Sequence, residues 1–272
     1  MAAAEPAEVA KARIPLVEMS LENEIGIVTL SHPQKHNALS AALIADLLDA
    51  GQKLNASGAK VAILRAGRGV RVWSAGHDVK ELPTNGRDPL TYDDPLRQAV
   101  RAIHETPIPV IAMIEGSVWG GACEVVMACD LVIAAEGASF AMTPAKLGVP
   151  YDIAGVLTLM QRVGLPILKE MLFTAEPMPA ARALQVGLVN QVVPPERLEE
   201  ATMGLARQIS RNSPLVISLL KEELRVLAES TPLNPNAYER IQSLRRQIYD
   251  SADYQEGIRS FFERRPPRFQ GR

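Results

Sequence analysis

A chain of 272 residues is long enough for one large domain or for a core with an appendage, and its 47% hydrophobic content is that of a soluble packed globule. A formal charge of -2 gives no global attraction to nucleic acid or to an anionic membrane, so an anionic ligand must meet a local basic cluster. No apolar run approaches the roughly 18 residues of a membrane span, and the two cysteines, Cys123 and Cys129, supply neither a disulfide framework nor four metal ligands.

Residues 1–14 begin Met1-Ala-Ala-Ala-Glu-Pro-Ala-Glu8, with no apolar signal-peptide core and with two glutamates, which predicts a disordered tail on a cytoplasmic protein. Val17 to Leu21 and Ile25 to Leu30 then flank the polar Glu22-Asn23-Glu24, the pattern of a hairpin. Ser40 is placed to cap a helix in which Leu43, Ile44, Leu47, Leu48 and Leu54 recur at helical spacing. Strands at Val61 to Leu64, Ile108 to Ile114 and Leu131 to Ala134 alternate with helical stretches, a βαβ rhythm that predicts an α/β fold with a parallel sheet. Their near-continuous apolar character predicts burial on both faces. Beyond Ala180 helical patterns dominate, interrupted by the short apolar stretch from Gly187 to Val193.

Two glycine-bearing segments, Ser74-Ala75-Gly76-His77-Asp78 and Gly120-Gly121-Ala122-Cys123-Glu124, carry the chemistry. The second lies between an apolar strand and a predicted helix start. Its glycines let the main chain approach a ligand, and amides in a helix's first turn lack intrahelical acceptors. A carbonyl oxygen gaining negative charge there meets free N–H donors and the positive end of the helix dipole. The loop after Val61-Ala-Ile-Leu-Arg-Ala66 can bring a second amide, that of His77. Two donors aimed at one oxygen stabilise an enolate or a tetrahedral anion, each by roughly 3 to 4 kcal/mol, and point to thioester chemistry on coenzyme A. Either segment alone also fits an ordinary strand-to-helix turn.

Taken in order with Lys35-His36-Asn37-Ala38-Leu39-Ser40 before them and Ser139-Phe-Ala-Met-Thr-Pro-Ala-Lys-Leu-Gly148 after them, these segments resemble the crotonase superfamily, also called the enoyl-CoA hydratase/isomerase family. The resemblance runs from about Leu16 to the C-terminus. It implies a crotonase-like spiral of ββα units, with a core over 15–205 for acyl-CoA binding and catalysis. It also implies a helical region over 206–272 through which subunits assemble as trimers or dimers of trimers. Glu81 to Arg97, Glu115 to Gly121, and Met142-Thr143-Pro144 with Gly148-Val-Pro-Tyr151 are similar to a branch of the family that decarboxylates methylmalonyl-CoA to propionyl-CoA without biotin. Coenzyme A is then part of the substrate. No cofactor, metal, nucleic acid or membrane partner is implied.

The family assigns the oxyanion donors to the amides of His77 and Gly121, while the His77 imidazole remains a candidate proton shuttle. Glu124 matches one of two glutamates with which hydratases activate water, but the second position falls on Pro144. Glu124 is therefore half of a depleted pair or a structural acid beside the helix. Thr143 and Tyr151 belong to the acyl site. The threonine hydroxyl is a partner for a substrate carboxylate or a water, and the phenol is a pocket wall that can donate one directed hydrogen bond. Packing is the alternative for each, and Trp119 reads as pocket wall or core. Lys35, Ala38 and Leu39 fit a loop wrapping the adenine nucleotide, with Lys35 near phosphate, and Ala75, Gly76, Asp78 and Val79 fit the facing acyl-CoA segment. Arg264, with Arg265, Arg268 and Arg272 after a predicted helix from Tyr254 to Phe262, is the candidate for the nucleotide phosphates, from this chain or a neighbouring subunit. A solvated face is the other reading of that cluster.

Overall fold

The computed structural model describes residues 14–82, 92–228 and 235–270; the N-terminal tail, part of the Glu81 to Arg97 stretch and Arg272 lie outside them. β1 (Val17–Glu22) and β2 (Ile25–Leu30) pair antiparallel, with Val17 opposite Leu30 and Glu22 opposite Ile25. α1 (Ala41–Ala56) follows, and Ser40 Oγ accepts from Leu43 N–H at 3.3 Å to cap it. The chain then repeats one unit, two strands and helix, three times. The units are β3 (Val61–Ala66), β4 (Val72–Ser74) and α2 (Pro95–Glu105); β5 (Val110–Ile114), β6 (Ser117–Trp119) and α3 (Gly121–Ala128); and β7 (Leu131–Ala135), β8 (Ser139–Ala141) and α4 (Ile153–Met160). α5 (Leu165–Thr174), β9 (Met178–Pro179), α6 (Ala180–Gln185) and β10 (Gln191–Val193) complete this part.

The first strand of each unit enters a six-stranded sheet, β1-β2-β3-β5-β7-β10, and the second enters a four-stranded sheet, β4-β6-β8-β9. All pairings are parallel except β1 with β2 and β8 with β9. This is the expected ββα spiral. β3 shows why the apolar runs are unbroken, because all six of its residues are buried. Val61 and Ile63 pack with Leu198 and Ala206 of α7 (Leu198–Ser210), whereas Ala62, Leu64 and Ala66 pack into the larger core with Leu43 and Leu54 of α1 and Leu96, Val100 and Ile103 of α2. Arg65 interrupts the run and has its partners supplied, since its Nη1 donates to Glu199 Oε2 of α7 at 3.1 Å.

Three helices end the chain: α8 (Pro214–Ala228), α9 (Pro235–Tyr249) and α10 (Ala252–Phe262). Lys221 fastens α8 to the core by donating from Nζ to the carbonyls of Ile103 and Ile108 and to Asp130 Oδ2, at 3.1, 3.0 and 2.8 Å. Among the described residues no helix is long and apolar enough to cross a membrane. Cys123 and Cys129 are free and buried, and burial pushes both thiols up to about 12, so they stay protonated packing groups.

Candidate active site

The two glycine-bearing segments meet a third, and hydrogen bonds explain how. Asn37 Nδ2 donates to the Trp73 carbonyl at 2.9 Å, and Ser74 Oγ donates to the Asn37 carbonyl at 2.7 Å. Ala75 N–H reaches the His36 carbonyl and Leu39 N–H the Gly76 carbonyl, at 2.9 and 2.8 Å. His36 and Asn37 hold left-handed backbone, φ 49° and 48°, to make that approach. Gly76 has φ +80°, and a β-carbon there would lie 2.3 Å from the Trp119 carbonyl oxygen, so the first glycine segment rests directly on the second.

Gly121 is the first helical residue of α3, after Gly120. A β-carbon at Gly121 would stand 3.7 Å from the His77 nitrogen, which puts the two main-chain donors side by side. Among the described residues neither N–H has a protein acceptor. The α3 dipole adds positive potential at the same place. Both residues line a cavity of about 650 Å³, ample for an acyl thioester arm. Its apolar wall comes from Val72, Leu82, Leu96, Leu147, Val149 and Phe261.

Of the residues expected at the site, Lys35, Ala38, Ala75, His77, Asp78, Val79, Gly121, Thr143 and Tyr151 line this cavity. Leu39 and Gly76 are buried behind it and act by holding the loops together. Lys35, Lys80 and Lys146 stand on this cavity; Lys35 Nζ lies 3.5 Å from Asp78 Oδ2 and Lys146 Nζ 2.9 Å from the exposed Glu176 Oε1. Arg264 is exposed and does not line the cavity of its own chain, where the same segment contributes Phe261. Its neighbour Arg265 is held by Glu256 and Glu263. The Thr143 hydroxyl stands over the oxyanion turn, 3.3 Å from where a β-carbon on Gly120 would be, and among the described residues it has no protein partner.

Tyr151 and Glu124 face each other, and Glu124 takes the place of a structural acid beside the helix start. The Tyr151 hydroxyl donates to Glu124 Oε2 at 2.5 Å, so its one proton points away from the cavity. Glu124 is fully buried behind the ring and does not line the cavity, which removes it as a direct partner for substrate. Its other oxygen pairs with Arg97 Nη2, a residue that sequence reasoning did not select. Asp152 Oδ2 lies 3.6 Å from Arg97 Nη1, and Asp152 Oδ1 lies 3.7 Å from Arg245 Nη1. Burial pushes the Glu124 carboxyl up, with Arg97 as the chief opposing influence, and burial together with the Glu124 charge pushes the Tyr151 phenol well above its usual range. Burial also pushes Asp94 up, against the pull of His77. The His77 Nδ1 is buried without a hydrogen-bond partner among the described residues.

Comparison with known proteins agrees with this geometry. Residues 20–272 match the family model for enoyl-CoA hydratase/isomerase. The chain is similar to the methylmalonyl-CoA decarboxylase of Escherichia coli K12, at 51% identity over 92% of this chain and 95% of the relative. It is also similar to a solved methylmalonyl-CoA decarboxylase complexed with 2S-carboxypropyl-CoA, with a TM-score of 0.94 and 49% identity over 96% of this chain and 100% of that one. A second such structure, in complex with 2-nitronate-propionyl-CoA, has a TM-score of 0.93 at 49% identity over 94% of this chain and 99% of that one. By its sequence match over nearly its whole length and by its ββα spiral, the chain belongs to the enoyl-CoA hydratase/isomerase family.

Proposed function

We propose that this protein decarboxylates methylmalonyl-CoA to propionyl-CoA and carbon dioxide. The observation that carries the reading is the adjacency of the His77 and Gly121 amides at the N-terminus of α3, on the wall of an apolar cavity. The likeness to methylmalonyl-CoA decarboxylases supports the choice of substrate.

The thioester carbonyl oxygen sits between the two amides. The bond from the malonyl carbon to its carboxylate breaks, its electron pair enters the enolate, and negative charge collects on the oxygen that the amides hold. A proton then adds to carbon to give propionyl-CoA. The thioester is itself the electron sink, so the residues need no help from an added cofactor. Thr143, beside Gly120, is placed to hold the substrate carboxylate, and the Tyr151 ring limits where that carboxylate can turn. Lys35, Lys80 and Lys146 receive the phosphates of coenzyme A, and a part for Arg264 would require a neighbouring subunit.

The test is incubation of the purified protein with methylmalonyl-CoA, malonyl-CoA and crotonyl-CoA, with products resolved by mass. Propionyl-CoA should form and crotonyl-CoA should persist, because Pro144 occupies the second glutamate position and Glu124 is sealed behind Tyr151. Rapid hydration of crotonyl-CoA without decarboxylation overturns the assignment.

We also propose that the protein works as a homo-oligomer, a trimer or a dimer of trimers in the cytosol. Leu219, Leu220, Leu224 and Leu227 of α8 are all exposed in the single chain, and they support that reading.

A further inference from the structure

The decarboxylation just described leaves Arg97, Glu124 and Asp152 without a part, yet Glu124 is fully buried and Arg97 and Asp152 are nearly so. Ion pairs in such places are costly to bury and do not by themselves indicate stability. What this one does is visible at its end. It terminates on the hydroxyl of Tyr151, the only member that lines the cavity.

We propose that Arg97 is the positioning residue of this site: through its ion pair with Glu124 it keeps the Tyr151 proton turned inward, so that the phenol faces the substrate carboxylate with oxygen lone pairs and no O–H. The proposal rests on the decarboxylase reading. A phenol whose single proton is committed can only accept, and a carboxylate offers it nothing to accept. The bound carboxylate is thus left unsatisfied on that side, while departing neutral carbon dioxide is not penalised. The arrangement is closely packed, because a β-carbon at Gly155 would lie 2.7 Å from Tyr151 Cε1 and 2.8 Å from Glu124 Oε2. The charged and titratable groups packed around Glu124 come from several elements. α2 supplies Arg97 and, one turn earlier, Asp94. The segment before α4 supplies Tyr151 and Asp152, α9 supplies Arg245, and α3 itself supplies Cys123. The two arginines balance Glu124 and Asp152 in charge.

Arg97→Met removes the cation facing Glu124, so the buried carboxyl takes a proton; its new O–H donates to the Tyr151 oxygen, and the phenol proton turns toward the cavity. A hydroxyl that donates to the substrate carboxylate tightens binding and slows turnover. For methylmalonyl-CoA, kcat should therefore fall by about tenfold or more, corresponding to about 1.4 kcal/mol of barrier, and KM should fall with it. Affinity for propionyl-CoA, which lacks the carboxylate, should stay within about twofold. Arg97→Lys, which keeps the charge, should recover most of the rate. Should Arg97→Met fail to fold, Arg97→Gln, which keeps a hydrogen-bonding group but no charge, should show the same joint fall of kcat and KM. An unchanged kcat in the folded uncharged variant, or a rise of methylmalonyl-CoA KM and propionyl-CoA Kd together, overturns the proposal. A parent protein that does not decarboxylate is a separate failure, that of the function assignment.

Discussion

Gly121 occupies the first helical position of α3, where a proline ring suits the backbone because the N–H it deletes has no partner within the helix. That N–H is one of the two proposed oxyanion donors, so Gly121→Pro separates catalysis from folding. Leu96, a buried core residue, must shift, since its Cδ2 would lie 2.7 Å from the new β-carbon, so the fold of the variant is checked before its kinetics are read. Loss of one such donor costs about a hundredfold to a thousandfold in turnover. A folded Gly121→Pro protein, shown by its circular dichroism and thermal melt, should lose methylmalonyl-CoA turnover on at least that scale, and propionyl-CoA binding should weaken too, because the ring carbon stands where the N–H met the thioester oxygen. Parent-like turnover would assign the oxyanion to other donors. Much of this site was legible from residue types alone, because glycine pairs at strand ends have few uses, and His77, Thr143 and Tyr151 do line one cavity with Gly121. Arg97 was not legible. A lone arginine beside Leu96 reads as solvent-facing until the fold brings an acid against it, and the available signal was Glu124 itself, a carboxylate in the otherwise apolar stretch Gly121 to Ala128 that needed a buried cation.

Among the elements, the long ones declared themselves and the short ones did not. β2, β3, β5 and β7 have five or six residues of mostly buried apolar character, enough to show a pattern, and α1 carries both a cap and a periodic face. The four-stranded sheet is built from β4, β6, β8 and β9, of two or three residues each, too short for any period to be read. The basic C-terminal cluster was ambiguous for another reason: its partners lie on α10, a helix turn or more away. Arg265 grips Glu256 through both carboxylate oxygens, at 2.6 and 2.9 Å, and Arg268 N–H donates to the same group at 2.8 Å. The Arg265 hydrogen bonds pull the Glu256 carboxyl from 4.5 down to about 2. A depressed carboxylate contributes its stabilisation fully above the unfolded value and loses it as pH falls through the folded one. The C-terminal segment should therefore stay docked on α10 above about 4.5 and loosen between there and about 2. Hydrogen exchange at the Arg268 amide, which donates to Glu256, measures this directly. Glu256→Gln should raise exchange at pH 6 and flatten its acid dependence, and an equally steep acid dependence in the variant would place the controlling group elsewhere.

Across the whole molecule the apolar surface is unevenly distributed, and that unevenness bears on assembly. The ββα spiral buries cores on both sides of the main sheet, although Met160, Leu165 and Phe173 at its α4–α5 end are exposed. α8 is different. It is tied to the core at Lys221, while Leu224 and Leu227 remain 68% and 69% exposed and Leu215 83% exposed. A net charge of -2 provides little repulsion between copies, and contiguous exposed leucines mark an interaction face. Copies that use one such patch against a different surface of the next subunit close into a ring when the rotation permits, which is the geometry of a trimer. Sedimentation of the parent should give a three-chain or six-chain species. Leu224→Glu combined with Leu227→Glu places two charges on the proposed contact without touching the cavity, and it should shift the protein toward smaller species at micromolar concentration while far-ultraviolet circular dichroism is kept. The added charges face solvent in the single chain, so a merely structural role for α8 would not produce that shift. A parent that sediments as one chain, or a double variant that assembles as the parent does, would show that these leucines lie outside any contact between subunits.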